Sequence, residues 1–183
     1  AAGPAKIESS LQLQGEIQLN QDRLAHVVPR LAGVVVASPR NVGDNVNKGD
    51  LLAVIESQAL AELKGAWLAA QKRLELAQIT YEREERLWKE KISAEQDFIA
   101  SRYALSEAQI AQQTALQRLV AIGASPGNSG RVGRDALTRY EIRAPLSGTI
   151  VEKHLTLGEA VKEDADIFTI ADLSTVWAEM TVY

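Results

Sequence analysis

In this 183-residue sequence the side chains best suited to holding a transition metal or moving a proton are His26 and His154. Zinc needs three or four converging ligands, and neither histidine has a second His or any Cys near it in sequence. Cysteine is absent, which removes thiolate sites, disulfides and cysteine nucleophiles together. Met180 is the single methionine, so a thioether site for copper or silver has nothing to build on. The carboxylates Glu84-Glu85 stand in a stretch dense with both signs of charge. They read as a solvated, salt-bridged face rather than an acid–base pair. No Ser-His-Asp set and no phosphate loop occurs, so no catalytic residue, no cofactor and no metal site is expected.

The elements that would have to position a site point the same way. Aromatic residues make up only 5% of the chain while Ala, Leu, Gln and Glu abound, a balance that favours long helices over a large globular core. The net charge of −4 is spread over interspersed signs with no basic block, which argues against nucleic acid as a partner. No run approaches 18 apolar residues, and Ala1–Ala5 has neither the charged start nor the apolar core of a signal peptide.

An internal repeat organises the chain. Gly33-Val34-Val35-Val36 is followed by a turn-rich stretch from Val42 to Ile55. Gly148-Thr149-Ile150-Val151 is followed by one from Leu157 to Ile170. Gly33 matches Gly148, Gly43 matches Gly158, Val46 matches Val161 and Ile55 matches Ile170, all at one offset of 115. Repeats of this kind decide a fold. Each unit reads as short strands with turns, Gly43-Asp44 and Lys48-Gly49-Asp50 being the turn chemistry. Neither has enough strands to bury a face alone, so the two must pack together.

Between the units the texture changes. Leu60, Leu63, Trp67, Ala70, Leu74, Ala77, Tyr81, Glu84 and Trp88 recur in steps of three and four, a heptad seam with one charged interruption. Phe98, Ser101, Leu105, Ala108, Gln112, Ala115, Leu119 and Ile122 repeat the alternation. The spacing predicts helices over 58–91 and 94–122, and the short break at Lys91-Ile92-Ser93 forces them antiparallel. Ser93 is expected to cap the second helix, with Gln96 completing a capping box. Glu82 with Arg86 and Glu85 with Lys89 are expected ion pairs one turn apart. Gly123 and Pro126 end the second helix, and 123–139 is expected to be a flexible connection. At the ends, Leu11–Leu19 and Val176–Tyr183 alternate with period two and read as strands of a further β-rich module.

The combination of a Gly33-x-Val35 start, the turn Val42-Gly43-Asp44-x-Val46-x-x-Gly49-Asp50-Leu51-Leu52, a helical hairpin, and then Ile142-Arg143-Ala144-Pro145-Leu146-Ser147-Gly148 resembles the periplasmic adaptor, or membrane fusion, proteins of bacterial efflux pumps. The stretch from Ile170 to Trp177 is similar to the family's entry into its β-barrel, and the tip from Arg83 to Phe98 looks like the cobalt–zinc–cadmium subgroup that serves resistance-nodulation-division transporters.

The resemblance implies an α+β fold, a lipoyl/biotinyl-like β-sandwich split by a long antiparallel coiled-coil hairpin, plus partial strands of a β-barrel domain. It assigns 1–24 to a first barrel strand and N-terminal segment, 25–56 to the first lipoyl half, 57–122 to the hairpin, 140–172 to the second half and 173–183 to the start of the barrel. It also implies a periplasmic protein, tied to the inner membrane through other segments. That protein bridges an inner-membrane transporter and an outer-membrane channel within a ring of six adaptors. Arg83, Leu87 and Ser93 match in order the tip residues that meet the channel in this family. An arginine can donate to carbonyls of a partner's helix ends and a leucine offers an apolar knob. The other readings are a solvated charge, seam packing and a helix cap. Two alternatives remain open: an adaptor for an ABC-type or type I exporter, and a biotin- or lipoate-carrying subunit. The second would need a modifiable turn lysine, but Lys48 and Lys153 lack the usual Asp-Lys-Ala or Met-Lys-Met setting.

Overall fold

The computed structural model describes residues 15–125 and 137–180. The offset of 115 reappears in it as a pseudo-two-fold axis of backbone pairing. The first unit contributes β2 (Leu24–Val27), β3 (Gly33–Ala37), β4 (Asn45–Val46) and β5 (Leu51–Glu56). The second contributes β6 (Arg139–Arg143), β7 (Gly148–Lys153), β8 (Ala160–Val161) and β9 (Phe168–Ala171). Two four-stranded antiparallel sheets form, ordered β2-β9-β7-β4 and β6-β5-β3-β8, so each sheet takes strands from both units. The registers coincide under the offset: Ile55 faces Tyr140 as Ile170 faces Ala25, and Val35 faces Ile55 as Ile150 faces Ile170. Even the bulges match, between Val35 and Ala37 and between Ile150 and Glu152.

The symmetry begins earlier than the repeat legible in sequence, because β2 and β6 are equivalent edge strands that share little beyond Val27 and Ile142. The tight turns obey it too. Gly49 has φ +94° where its counterpart Asp164 has φ +60°, so one half places glycine in the left-handed region and the other forces an aspartate there. Val35, Leu52, Ile55, Ile150, Ile167, Phe168 and Ile170 fill the space between the sheets and are at most 1% exposed.

The hairpin leaves this sandwich after β5. Helix α1 (Gln58–Lys89) and helix α2 (Glu95–Ala121) are about 48 and 40 Å long at 1.5 Å per residue. Ser57, fully buried, caps α1 by accepting from the Leu60 amide. Leu60, Trp67 and Leu119 are buried within the same apolar cluster as the sheets, which fixes the hairpin's root. Each such side chain adds about 1.5–3 kcal/mol.

Farther out, the expected seam positions are the less exposed ones on both helices, apart from Trp88 at 38%. Glu84 is tolerated there because the Arg83 guanidinium lies 3.1 Å from it. Of the two expected pairs, Glu85–Lys89 closes at 3.0 Å, while Glu82 accepts from Gln78 instead.

The carbonyls that α2 leaves open are taken by the sandwich. The Arg30 guanidinium donates to Ala121 at 2.8 Å and the Tyr140 hydroxyl to Ile122 at 2.8 Å. Burial pushes the Tyr140 phenol above its ordinary range and keeps it a donor.

The other sheet is a two-stranded ribbon of β1 (Gly15–Leu19) and β10 (Val176–Met180). Its register puts Ile17 and Leu19 on one face with Val176, Ala178 and Met180, and Glu16, Gln18, Trp177 and Glu179 on the other. Residues 1–14, 181–183 and 126–136, which include most of the expected connection, lie outside the described residues. Thr138 at that connection's end is held: its carbonyl accepts from the Ser57 amide at 2.9 Å and its hydroxyl donates to Glu56 at 3.1 Å.

Candidate functional site

The hairpin tip is built by the way α1 stops. Its last turn closes with Glu90 bonding Arg86 at 3.0 Å, Lys91 bonding Trp88 at 2.9 Å and Ile92 bonding Leu87 at 2.9 Å. The last two are the paired bonds of a Schellman motif, with Lys91 at φ +60° where glycine is usual. The Ser93 amide also turns back to Leu87, at 3.4 Å.

That geometry overturns the expected capping box. The wrap of α1 holds Ser93, so α2 starts one residue later with Ala94 as its N-cap and no side-chain cap bond. Gln96 therefore falls one position short of the reciprocal site. The Ser93 hydroxyl is buried without a hydrogen-bond partner. Glu95 and Asp97 in the first turn of α2 favour the positive end of its dipole instead.

Arg83 and Leu87 stand one turn apart on one face of α1, and a backbone bond joins Leu87 to Ser93, so the three expected contact residues share the tip. They are presented differently. The Arg83 side chain is 64% exposed, Leu87 is half-buried, and the Ser93 hydroxyl faces inward. An aromatic set that the heptad pattern marked only as seam joins α1 to α2 near the tip. Trp88 stacks on Phe98 at 4.8 Å and 5°, and Tyr81 meets Phe98 at 5.7 Å. Ile92 was not picked out in the sequence because it sits in neither seam, and it is 69% exposed.

The other chemistry-bearing side chains are engaged in local structure. His26 lies 2.5 Å from Asp166, and His154 lies 3.4 Å from Glu152. Glu152 also accepts from Thr169, and chiefly that bond, with the one to His154, holds its carboxyl below the usual range. Among the described residues no group of three or more His, Asp or Glu is placed to hold a metal ion. The Lys153 ammonium donates to the Arg40 carbonyl at 2.8 Å and to Asn41 at 3.2 Å. A cleft of about 340 Å³ lies between the edges of β2 and β6. Its polar lining is already occupied: Arg30 and Tyr140 hold α2, and Arg143 binds the Gly49 carbonyl and Glu141. The tip itself presents the Arg83 guanidinium and the Ile92 side chain to solvent.

Comparison with known proteins agrees with this architecture. The chain is 56% identical over 181 residues to the cobalt-zinc-cadmium resistance protein CzcB of Cupriavidus metallidurans, covering 99% of this chain and 34% of that protein. It is 33% identical over 158 residues to the nickel-cobalt-cadmium resistance protein NccB of Alcaligenes xylosoxydans xylosoxydans, covering 86% of this chain and 38% of that one. The chain thus spans about a third of the length of the curated relatives it matches.

Among solved structures, ZneB from Cupriavidus metallidurans superposes with a TM-score of 0.68 at 28% identity, over 92% of this chain and 68% of that one. A MacA–MexA chimera carrying the α-hairpin domain of Pseudomonas aeruginosa MexA gives 0.56 at 18% identity, over 91% and 64%, and shares the fold. Residues 23–172, which run from the return of the β-ribbon through both sheets and the hairpin, match the family described as CzcB-like, barrel-sandwich hybrid domain, and the chain belongs to that family.

Proposed function

We propose that this chain is the central module of a periplasmic adaptor in a tripartite heavy-metal efflux system. It joins a resistance-nodulation-division transporter in the inner membrane to a channel in the outer membrane and performs no catalysis. The observation that carries this reading is the 56% identity to a cobalt-zinc-cadmium resistance protein over nearly the whole chain. The split sandwich with its hairpin supplies the mechanism, which is geometric. The buried root at Leu60 and Leu119 makes the hairpin a rigid arm, and its tip, with Arg83, Leu87 and Ser93, docks on the channel.

The β1–β10 ribbon has one exposed apolar face, with Ile17 78% exposed. A ribbon of two strands is marginal alone, so it belongs to a β-barrel domain built with further segments. Assembly into a ring of six is supported by the outer flank of α2. There Ile99, Tyr103, Ser106, Ile110, Gln113, Gln117 and Val120 make a second heptad stripe free of charge. Leu76 and Ile79 stand exposed on α1. The hairpin's nine positive and nine negative residues from 57 to 122 leave its surface neutral overall, which suits helix pairing rather than bulk attraction.

The test is a deletion strain complemented with the complete gene and challenged with cobalt, zinc, cadmium, nickel and copper salts alongside a drug panel. Restored tolerance to divalent metals alone is expected. Restored tolerance to drugs and not to metals would overturn the substrate class. Cysteines at positions 83, 87 and 93 should cross-link to the channel in the same cells. Absence of cross-links, with normal export after all three are mutated, would refute tip docking.

A further inference from the structure

We infer that Ile92 is the leading apolar contact of the tip with its partner, ahead of Leu87 and Ser93; the inference rests on the docking role proposed for the tip. Three observations meet at this residue. In a Schellman motif the residue after the left-handed position normally folds its apolar side chain back onto the helix, as Ala124 does at the far end of α2, packed against the core. Ile92 occupies that position at the end of α1 and is 69% exposed, so the usual closure is not made. Its backbone is nonetheless fixed, by the 2.9 Å bond to Leu87 and by Lys91 in the left-handed region, a conformation that costs a non-glycine residue free energy. Of the side chains assigned the contact, Arg83 is exposed but polar, while Leu87 is half-buried and the Ser93 hydroxyl is buried.

A branched aliphatic side chain held out on a strained, hydrogen-bonded turn enters an apolar cavity with little further backbone ordering cost. The occupant on the other side is the periplasmic helical end of the outer-membrane channel, presenting a cavity for one such side chain. Arg83, on the same tip, would bond the rim of that cavity.

The experiment places a photoactivatable residue at 83, 87, 92 or 93, one at a time, in the adaptor of a complete export system in cells, and reads adducts with the channel. Ile92→Asp and Ile92→Val are each combined with the probe at 83. Ile92 is exposed, so neither change threatens the fold. Position 92 should give the strongest adduct. Ile92→Asp should cut the adduct from 83 about thirtyfold, as loss of a hot-spot side chain does, while Ile92→Val retains it. Adducts from 83 and 87 that survive Ile92→Asp undiminished would overturn this assignment and leave tip docking standing. No adduct from any of the four positions would overturn both.

Discussion

The hydroxyl of Ser93 has no hydrogen-bond partner because a helix end and a helix start compete for the same three residues, and the end wins. The sequence signal for a start, Ser93 with Gln96 three residues on, was legible. The signal for the end was not, because the left-handed position holds Lys91 rather than glycine. A buried hydroxyl that bonds nothing costs free energy. Ser93→Ala should therefore leave the stability of the hairpin unchanged or raise it by up to about 1 kcal/mol, against a loss of about 1 kcal/mol were the side chain a true cap. Urea denaturation of the two forms distinguishes these.

Asp172 carries a second residue-scale prediction. Its carboxylate accepts from the Ser174 amide at 2.9 Å, first among the causes that hold it below the ordinary carboxyl range, followed by the Ser174 hydroxyl and Arg23. A pKa depressed by folding contributes stability that is present above the unfolded value and lost as pH falls through the folded value. The junction to β10 should thus stay closed at pH 5 and open only below about pH 4. Amide exchange at Ser174 should quicken there, and Asp172→Asn should abolish that pH dependence. A titration midpoint for Asp172 at or above the ordinary value would refute it.

At the scale of elements, the helices were the most legible part of the chain, because burial of a seam imposes steps of three and four that no strand could satisfy. The positions read as seam are the shielded ones from Leu60 to Glu84 and from Phe98 to Ile122. The exits that fix those helices to the sandwich were not legible. Arg30 lies 91 residues from the carbonyl it serves and Tyr140 lies 18 from its own, and Ser57, three residues from the amide it caps, looks unremarkable where it stands. Gly65 tests how much of α1 is sustained by propensity rather than packing. It lies on the outer side of the helix, and a Cβ there would meet nothing within 4 Å. Gly65→Ala should stabilise by about 1 kcal/mol in denaturant melts. A loss would mean that another helix approaches that position closely. By contrast Leu119→Ala, at 0% exposure in the shared core, should cost about 2–5 kcal/mol and loosen hairpin and sandwich together.

At the scale of the molecule, the pseudo-two-fold relates the two excursions from the sandwich. The chain leaves β5 at Ser57 for the hairpin and returns at Thr138, where the Ser57 amide bonds the Thr138 carbonyl at 2.9 Å. It leaves β9 at Asp172 for the ribbon, and the Asp172 amide bonds at 3.0 Å the carbonyl of Arg23, which ends the short 3-10 turn leading from β1 into β2. The arm and the β-module are therefore rooted at equivalent ends of one symmetric core, so a load on either root passes through strands the two units share. Two glycines guard these roots. A Cβ on Gly33 would stand 2.4 Å from the Glu56 carbonyl oxygen, beside the start of α1, and one on Gly148 would stand 2.6 Å from that of Ala171, beside the exit to β10. Backbone must shift in both cases. Gly33→Ala and Gly148→Ala should each destabilise by about 1–3 kcal/mol through overpacking. Their local signatures should be exchanged: hydrogen exchange should rise first in the opening turns of α1 for Gly33→Ala and in β10 for Gly148→Ala. Equal rises at both roots from either change would show that the sandwich opens as one unit and that the two ends are not separately anchored.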